Sequence, residues 1–232
     1  MRMRNFGCML ITLTLAATPC AFADTVTWAT INAPVAGAIT GTIGSVGYTY
    51  TGEMDFVNAS NTGQYNYFTP LSTYTSSVDS NAPTDGGLIA ITGNGVTTET
   101  FNFSTPVTGL ILSEVSLGGG GGETTAYTFS DTFTVLSCGP GTAYGGGCFN
   151  QALGSTGNSV LSANEGDGTI EFAGTISSLT FTTADGEYWN GFDIGLLPQN
   201  SSPSPTPEPG TLLMVGTGLA GLVGAARRKL AA

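Results

Sequence analysis

The stretch Thr100-Phe101-Asn102-Phe103-Ser104 alternates polar and aromatic side chains, and this alternation decides the fold. A period of two turns one set of side chains towards a core and the other towards water, which is the pattern of a half-buried β-strand. The same alternation recurs in Thr169-Ile170-Glu171-Phe172 and in Leu179-Thr180-Phe181-Thr182. Between the two ends of the chain no segment has the spacing of an amphipathic helix. The sequence therefore predicts an all-β body.

Short runs rich in Thr, Val, Ile, Tyr and Phe supply further candidate strands. They are residues 25–31, 39–43, 46–51, 64–68, 88–92, 107–117, 127–136 and 188–197. Turn sequences such as Asp85-Gly86-Gly87 separate them. Many short strands with such turns predict an antiparallel β-sandwich, jelly-roll-like in topology, with a β-barrel as the second choice.

The charges of the chain are strongly segregated. Its five basic residues all lie at the two ends: Arg2, Arg4, Arg227, Arg228 and Lys229. The chain has no His, and its 16 acidic residues fall between Asp24 and Glu208. A body without cations cannot neutralise phosphate, so nucleic acid is excluded as a partner. The lack of His also excludes a Ser-His-Asp or Cys-His catalytic apparatus and a zinc site that uses His.

Residues 1–23 have the three parts of a secretory signal peptide. Residues 1–5 are basic, residues 6–17 form an apolar run too short to span a bilayer, and residues 18–23 are mostly small. We expect cleavage between Ala23 and Asp24. Lipidation at Cys20 is the alternative, but Pro19 stands where a lipoprotein signal needs a small residue.

The C-terminal end has a second set of signals. A Pro/Ser/Thr linker, residues 199–206, precedes Pro207-Glu208-Pro209. An uncharged apolar run, residues 211–226, follows and is succeeded directly by Arg227-Arg228-Lys229. At about 1.5 Å per residue, the run predicts a short transmembrane helix of roughly 24 Å. The basic cluster is expected to stay cytoplasmic, which places the body, residues 24–198, on the far side of the inner membrane.

This order of parts resembles the PEP-CTERM sorting signal of Gram-negative bacteria, over residues 207–230. The resemblance implies that Pro207, Glu208 and Pro209 are recognised by exosortase, a membrane transpeptidase-like enzyme thought to remove the tail during export. It implies an inner-membrane intermediate, followed by delivery to the outer surface or the extracellular matrix. Tails of this kind are also called an ice-binding protein C-terminal domain, a name that describes only the tail.

Two cysteines, Cys138 and Cys148, remain once the signal peptide is removed, and they flank a glycine-rich loop. In an oxidising compartment such a pair is expected to form a disulfide. A metal site is the alternative, but it lacks further thiol or imidazole ligands.

Calcium binding is one chemistry open to an acidic chain, because calcium prefers hard oxygen ligands. The loops before two predicted strands offer a candidate site that consists of Asn164, Glu165, Asp167, Asp185 and Glu187. Asp79 with Asp85 is a second candidate. Ordinary turn chemistry explains the same residues without a metal.

Polysaccharide cleavage is the other chemistry, because glycoside hydrolysis requires only two carboxylates. Glu171, Glu187 and Asp193 lie on predicted strands and are the first candidates. Acidic residues on the wet face of a strand would give the same pattern.

Aromatic residues form two clusters, Tyr65 with Tyr67 and Phe68, and Tyr188 with Trp189. If exposed, they would form a platform on which sugar rings stack. We expect burial for most of them, because a sandwich of this size has to fill its core.

Thr-x-Thr pairs such as Thr40/Thr42 would suit an ice-binding face only in a regular array, and threonine on the wet face of a strand explains them. The sequence therefore predicts a non-catalytic structural or glycan-binding β-sandwich. A carboxylate-based polysaccharide hydrolase or lyase is the alternative.

Overall fold

The computed structural model describes residues 23–93, 95–119, 124–140, 145–155, 157–184 and 186–198, together with Gly218. The chain divides into two compact units, Met1–Pro198 and Gln199–Ala232. The predicted signal peptide, except Ala23, and the predicted sorting tail, except Gly218, lie outside the described residues. Within the described part of the chain, no helix is long and apolar enough to cross a membrane.

The described part of the body contains fifteen strands and one 3-10 helix, Leu71–Tyr74. In chain order the strands are β1 (Thr27–Trp28), β2 (Thr30–Ile31), β3 (Ala38–Ile43), β4 (Val46–Thr51), β5 (Phe56–Asn58), β6 (Leu88–Ile91), β7 (Thr98–Thr108), β8 (Leu110–Leu117), β9 (Thr125–Phe129), β10 (Phe133–Cys138), β11 (Asn150–Gly154), β12 (Gly157–Ala163), β13 (Gly166–Phe172), β14 (Thr175–Ala184) and β15 (Asn190–Leu196).

The strands form two sheets. Sheet I has seven strands in the order β10-β13-β8-β15-β6-β5, with β1 also paired to β15. Sheet II has eight strands in the order β11-β12-β9-β14-β7-β4-β3-β2. Every pairing is antiparallel. From β6 to β15 the chain crosses between the sheets at every connection except that from β11 to β12. The predicted antiparallel all-β sandwich is confirmed.

Aromatic rings from both sheets fill the core. On β7, Phe101 is fully buried whereas the next residue, Asn102, is exposed, as the alternation predicts. The Phe101 ring lies 5.9 Å from that of Phe192 on β15. The Phe129 ring on β9 lies 5.0 Å from that of Phe172 on β13. Both contacts join sheet II to sheet I, and such edge-to-face pairs stabilise beyond their buried area.

Threonines occupy the outward face of sheet II, where Thr40 pairs with Thr49 and Thr51 pairs with Thr100. Thr40, Thr42 and Thr51 are exposed. The wet-face interpretation of the Thr-x-Thr pairs therefore agrees with the structure.

Four of the predicted strands need correction. Residues 25–31 are divided between β1 in sheet I and β2 in sheet II. Residues 107–117 are not one strand, because Gly109, with a φ of 68°, ends β7 in one sheet before β8 begins in the other. Residues 127–136 are likewise divided between β9 and β10. Residues 64–68 form no strand. There the Asn66 side chain accepts from Phe68 N and donates to Pro83 O, and such local bonds compete with a sheet.

The connection between β5 and β6, residues 59–87, packs on the outer face of sheet I. Its buried residues Phe68, Tyr74 and Ala82 form a second hydrophobic cluster with Leu88, Ala90 and Val115 of the sheet. The Tyr74 hydroxyl donates to Asp167 Oδ1 over 3.1 Å, which ties the connection to β13. Sheet I is therefore covered on both faces.

Cys138 and Cys148 form the predicted disulfide, with their Cα atoms 4.9 Å apart. The described part of the loop that they close packs on the start of β13. Gly146 N and Gly147 N each donate to Glu165 O over 2.8 Å. A Cβ atom on Gly145 would lie 2.0 Å from Asp167 Oδ2, so this close approach requires glycine.

Replacing both cysteines by serine is expected to lower the free energy of unfolding by roughly 2–3 kcal/mol, because the bond closes a short loop of the unfolded chain. For a body of this size, the melting midpoint should fall by about 5–10 °C. Thermal melting of both proteins, with and without reductant, measures this. A reductant should lower the midpoint of the wild type and leave the double variant unchanged, and equal midpoints for the two oxidised proteins would contradict the prediction.

Candidate ligand-binding site

The structure brings the two aromatic clusters of the sequence together at the edge of sheet I. Tyr67 from the first cluster lies 5.3 Å from Trp189 of the second, measured between ring centroids. Phe56 completes the group, 6.1 Å from Tyr67 and 5.5 Å from Trp189. We call these three residues the aromatic triad. Phe56 was not among the residues predicted for a site, because β5 is too short to show a periodic pattern.

Sheet pairing places two members of the triad. Phe56 is the first residue of the edge strand β5, where it pairs with Ala90, and Ala90 pairs on its other side with Gly191. Trp189 lies two residues before Gly191 and so points to the same face as Phe56. A Cβ atom on Gly191 would lie 2.7 Å from Leu88 Cδ1, so a larger residue would shift the Leu88 side chain in the second hydrophobic cluster.

The triad rests on the second hydrophobic cluster, with all three rings half-buried against it. The three rings are tilted against one another by 47° to 70°, so each fixes the orientation of the others. The triad therefore packs both on itself and on the hydrophobic cluster beneath it.

Two exposed tyrosines border the triad. Tyr188 is 90% exposed and Tyr65 is 55% exposed. The Tyr65 ring lies 5.1 Å from Tyr67 in an edge-to-face contact. The expectation of burial holds for Phe68, which is fully buried, and fails for these two tyrosines.

A cleft of about 340 Å³ opens at this place, lined by Asp55, Phe56, Tyr67, Tyr188 and Trp189. Ligand sites in proteins are typically concave, largely aromatic or apolar, and equipped with a few polar groups. The cleft has this composition, with Asp55 as its carboxylate. We call it the aromatic cleft.

Four of the five predicted calcium residues, Asn164, Glu165, Asp167 and Glu187, lie around one segment at the end of β8. Ser116 donates from its N to Asp167 Oδ1 over 3.0 Å and from its hydroxyl to Glu165 Oε2 over 2.9 Å. Gly118 N donates to Glu187 Oε1 over 2.7 Å, and Asn164 Nδ2 donates to Gly119 O over 2.7 Å. These bonds join residues 45 to 69 positions apart in the chain, so the four side chains tie other segments to the end of β8 and do not close local turns.

No group of three or more Cys, Asp or Glu side chains among the described residues could hold a metal ion. Asp185 lies outside the described residues. Asp79 and Asp85 accept hydrogen bonds in separate turns, from Ser76 Oγ and from Gly87 N. Calcium binding stays a prediction for these residues.

A carboxyl network lies in the core near the same end of β8. The hydroxyl of Tyr127 on β9 donates to Asn190 Oδ1 and lies 3.4 Å from Glu114 Oε1 on β8. Asn190 Nδ2 in turn donates to Glu187 Oε1 over 2.7 Å. Glu114 is fully buried, and its Oε2 has no hydrogen-bond partner among the described residues.

Burial governs the ionisation of these groups, because the residues that the structure describes include no Lys, Arg or His to pair with them. Desolvation raises the pKa of Glu187 to about 7. Desolvation, reinforced by the negative charge of Glu187, raises the pKa of Glu114 well above its ordinary value. Desolvation also raises the pKa of the fully buried Asp193. Burial therefore favours the neutral form of all three carboxyls.

The three catalytic candidates occupy different environments. Glu171 lines a cleft of about 230 Å³ with Thr108, Gly109, Thr134, Phe172, Ala173 and Gly174, and partial burial raises its pKa. Glu187 belongs to the carboxyl network, and Asp193 is 1% exposed. Glu171 supplies the carboxylate of its cleft. Hydrolysis by two carboxylates requires a second carboxylate that faces the first across the cleft.

We expect the free energy of unfolding to fall as the pH rises from about 4.5 to about 7. A carboxyl whose pKa is raised in the folded state stabilises that state below its unfolded pKa, and this contribution is lost as the pH rises through the folded pKa. For Glu187 the loss is on the order of 2–3 kcal/mol. Urea unfolding across this pH range measures it.

The variant Glu187→Gln tests the assignment, because its amide oxygen can accept the same bonds from Gly118 N and Asn190 Nδ2. It should lose less stability between acidic and neutral pH than the wild type. Asp131→Asn, on the turn between β9 and β10, is the matched control and should behave as the wild type. Stability that rises with pH in the wild type would contradict the prediction.

Comparison with known proteins bears on the tail of the chain. The PEP-CTERM protein-sorting motif matches residues 205–229, which include the predicted recognition residues Pro207, Glu208 and Pro209. The motif implies export and processing by an exosortase-type system. No curated protein and no solved structure matches this chain. The chain is therefore a PEP-CTERM sorting domain-containing protein, with the motif confined to its C-terminal end.

Proposed function

We propose that this protein is a non-catalytic, glycan-binding module that is delivered to the outer surface or to the extracellular polysaccharide matrix. The observation that carries the proposal is the aromatic cleft, in which two separate parts of the chain converge. The sorting motif supports the destination, because it marks an exported protein. Polysaccharide is the polymer that an exported protein meets at such a surface.

Sugar rings suit the aromatic cleft for a physical reason. The face of a pyranose carries apolar C–H groups, which pack on aromatic rings, while its hydroxyls need polar partners. The cleft offers the rings of Tyr188 and Trp189 for the first and the Asp55 carboxylate for the second. Tyr188 is almost wholly exposed, so its ring can contact a long ligand without rearrangement.

A carboxylate-based hydrolase or lyase is the second candidate, and the cleft at Glu171 is the observation that favours it. The raised pKa of Glu171 suits a general acid. Binding is the better supported function, because the aromatic cleft is larger and carries the stacking groups that a polysaccharide requires.

For the route of export, we propose an inner-membrane intermediate. The apolar run 211–226 would span the membrane with Arg227, Arg228 and Lys229 in the cytoplasm, until an exosortase-type enzyme removes the tail. The segregation of every basic residue to the chain ends supports this topology.

Removing one stacking ring should weaken glycan binding. Tyr188→Ala is expected to raise Kd about 5- to 15-fold, which corresponds to about 1–1.5 kcal/mol for one aromatic contact. A glycan array identifies the ligand, and calorimetry with that ligand measures the change. Leu153→Ala, at an 83% exposed residue on β11 of sheet II, is the matched control. Unchanged affinity in Tyr188→Ala, or release of reducing sugar that Glu171→Gln abolishes, would reject the proposal.

Processing predicts a shorter mature protein. Mass spectrometry of the protein recovered from the cell surface should find Asp24 at the N-terminus and no peptide that contains Arg227 and Arg228. Replacing Glu208 by Gln alters the recognition sequence and should leave full-length protein in the inner-membrane fraction. Recovery of the wild type from the inner membrane with an intact tail would contradict this route.

A further inference from the structure

The aromatic cleft contains a carboxylate among electron-rich rings. Asp55 immediately precedes β5, and its N–H donates to Ala90 O over 2.8 Å, which fixes its backbone to the sheet. Asp55 is exposed and lines the cleft together with Phe56, Tyr67, Tyr188 and Trp189. A negative charge is therefore held where a bound ligand would contact the rings.

The faces of aromatic rings carry negative partial charge and attract cations, most strongly those of Trp. Rings of tyrosine and tryptophan together with a carboxylate are the combination that recognises an ammonium group. The same carboxylate and ring faces would repel an anionic sugar, such as a uronic acid.

The rest of the body also favours a cationic ligand over an anionic one. Between Asn5 and Ala226 the chain has no Lys, Arg or His, so no side chain there can pair with an anionic ligand. An acidic surface also raises the local concentration of a cationic polymer and speeds its association.

We propose that the aromatic cleft selects polysaccharides whose sugars carry free amino groups, with the ammonium of one sugar paired to Asp55 and the sugar faces packed on Tyr188 and Trp189. This specificity rests on the glycan-binding function proposed above. The ligand class is thus a partly or fully deacetylated amino-sugar polymer, in preference to its N-acetylated form, to neutral glucans and to uronic-acid polymers.

Calorimetry of the full chain with β-1,4-linked glucosamine oligomers and with fully N-acetylated oligomers of equal length tests the proposal. The two oligomers differ in charge and in the acetyl group, and they have the same sugar backbone. At low salt the amine form should bind about five- to tenfold more tightly, because an ammonium near a carboxylate and a ring face gains both contacts. High salt should reduce the preference, because it screens exposed charges.

Asp55→Asn keeps the size of the side chain and removes its charge. It should abolish most of the preference for the amine form and leave binding of the N-acetylated oligomer within about twofold. Asp131→Asn, which changes the net charge equally at a turn beside sheet II, should retain the preference. Equal losses in the two variants would mean that total charge attracts the polymer, and this would overturn the proposal.

Failure of this specificity is distinguishable from failure of the glycan-binding function. If N-acetylated or neutral oligomers bind as well as the amine form, and Tyr188→Ala still weakens them, the cleft binds glycans and the proposed selectivity is wrong. If no oligomer binds and Tyr188→Ala has no effect, both proposals are wrong.

Discussion

A chain without cations between its two ends must bury its carboxyl groups without ion pairs, and this constraint shapes the interior of the molecule. Tyrosine hydroxyls take the place that Arg or Lys would otherwise fill. Tyr50 donates to Glu99 Oε2 over 2.5 Å within sheet II, and Tyr74 donates to Asp167 between the long connection and sheet I. These bonds satisfy carboxyl oxygens that would be costly to bury alone.

The lack of cations also couples the stability of the fold to pH. Neutral carboxyls such as Glu114 pack acceptably in an apolar core, whereas the ionised forms would not. The Tyr127 hydroxyl lies between Glu114 and Asn190, so this network connects sheet II to sheet I inside the sandwich. Stability and protonation are therefore coupled through the core itself and do not depend on surface ion pairs.

The acidic residues inside the molecule and at its surface have different roles. Buried and half-buried ones hold the sheets and loops in place, as Glu187 and Glu165 do around the end of β8. Asp55 lies instead at an exposed edge, beside rings that rest on a buried hydrophobic cluster. A rigid support beneath a partly exposed aromatic surface lowers the entropy cost of binding, because few side chains need to be ordered by the ligand.

The sequence alone determined the fold class, the disulfide and the sorting tail, because each rests on a local pattern: alternation in β7 and β14, two cysteines around a short loop, and a proline-flanked glutamate before an apolar run. Residues 64–68 were predicted wrongly because hydrogen bonds of Asn66 override their strand composition. Only the tertiary structure decided that Tyr67 and Trp189 share one cleft with Phe56 and Asp55. Residues more than 100 positions apart meet there through the pairing of β5, β6 and β15, and such non-local pairing leaves no periodic signal in the chain.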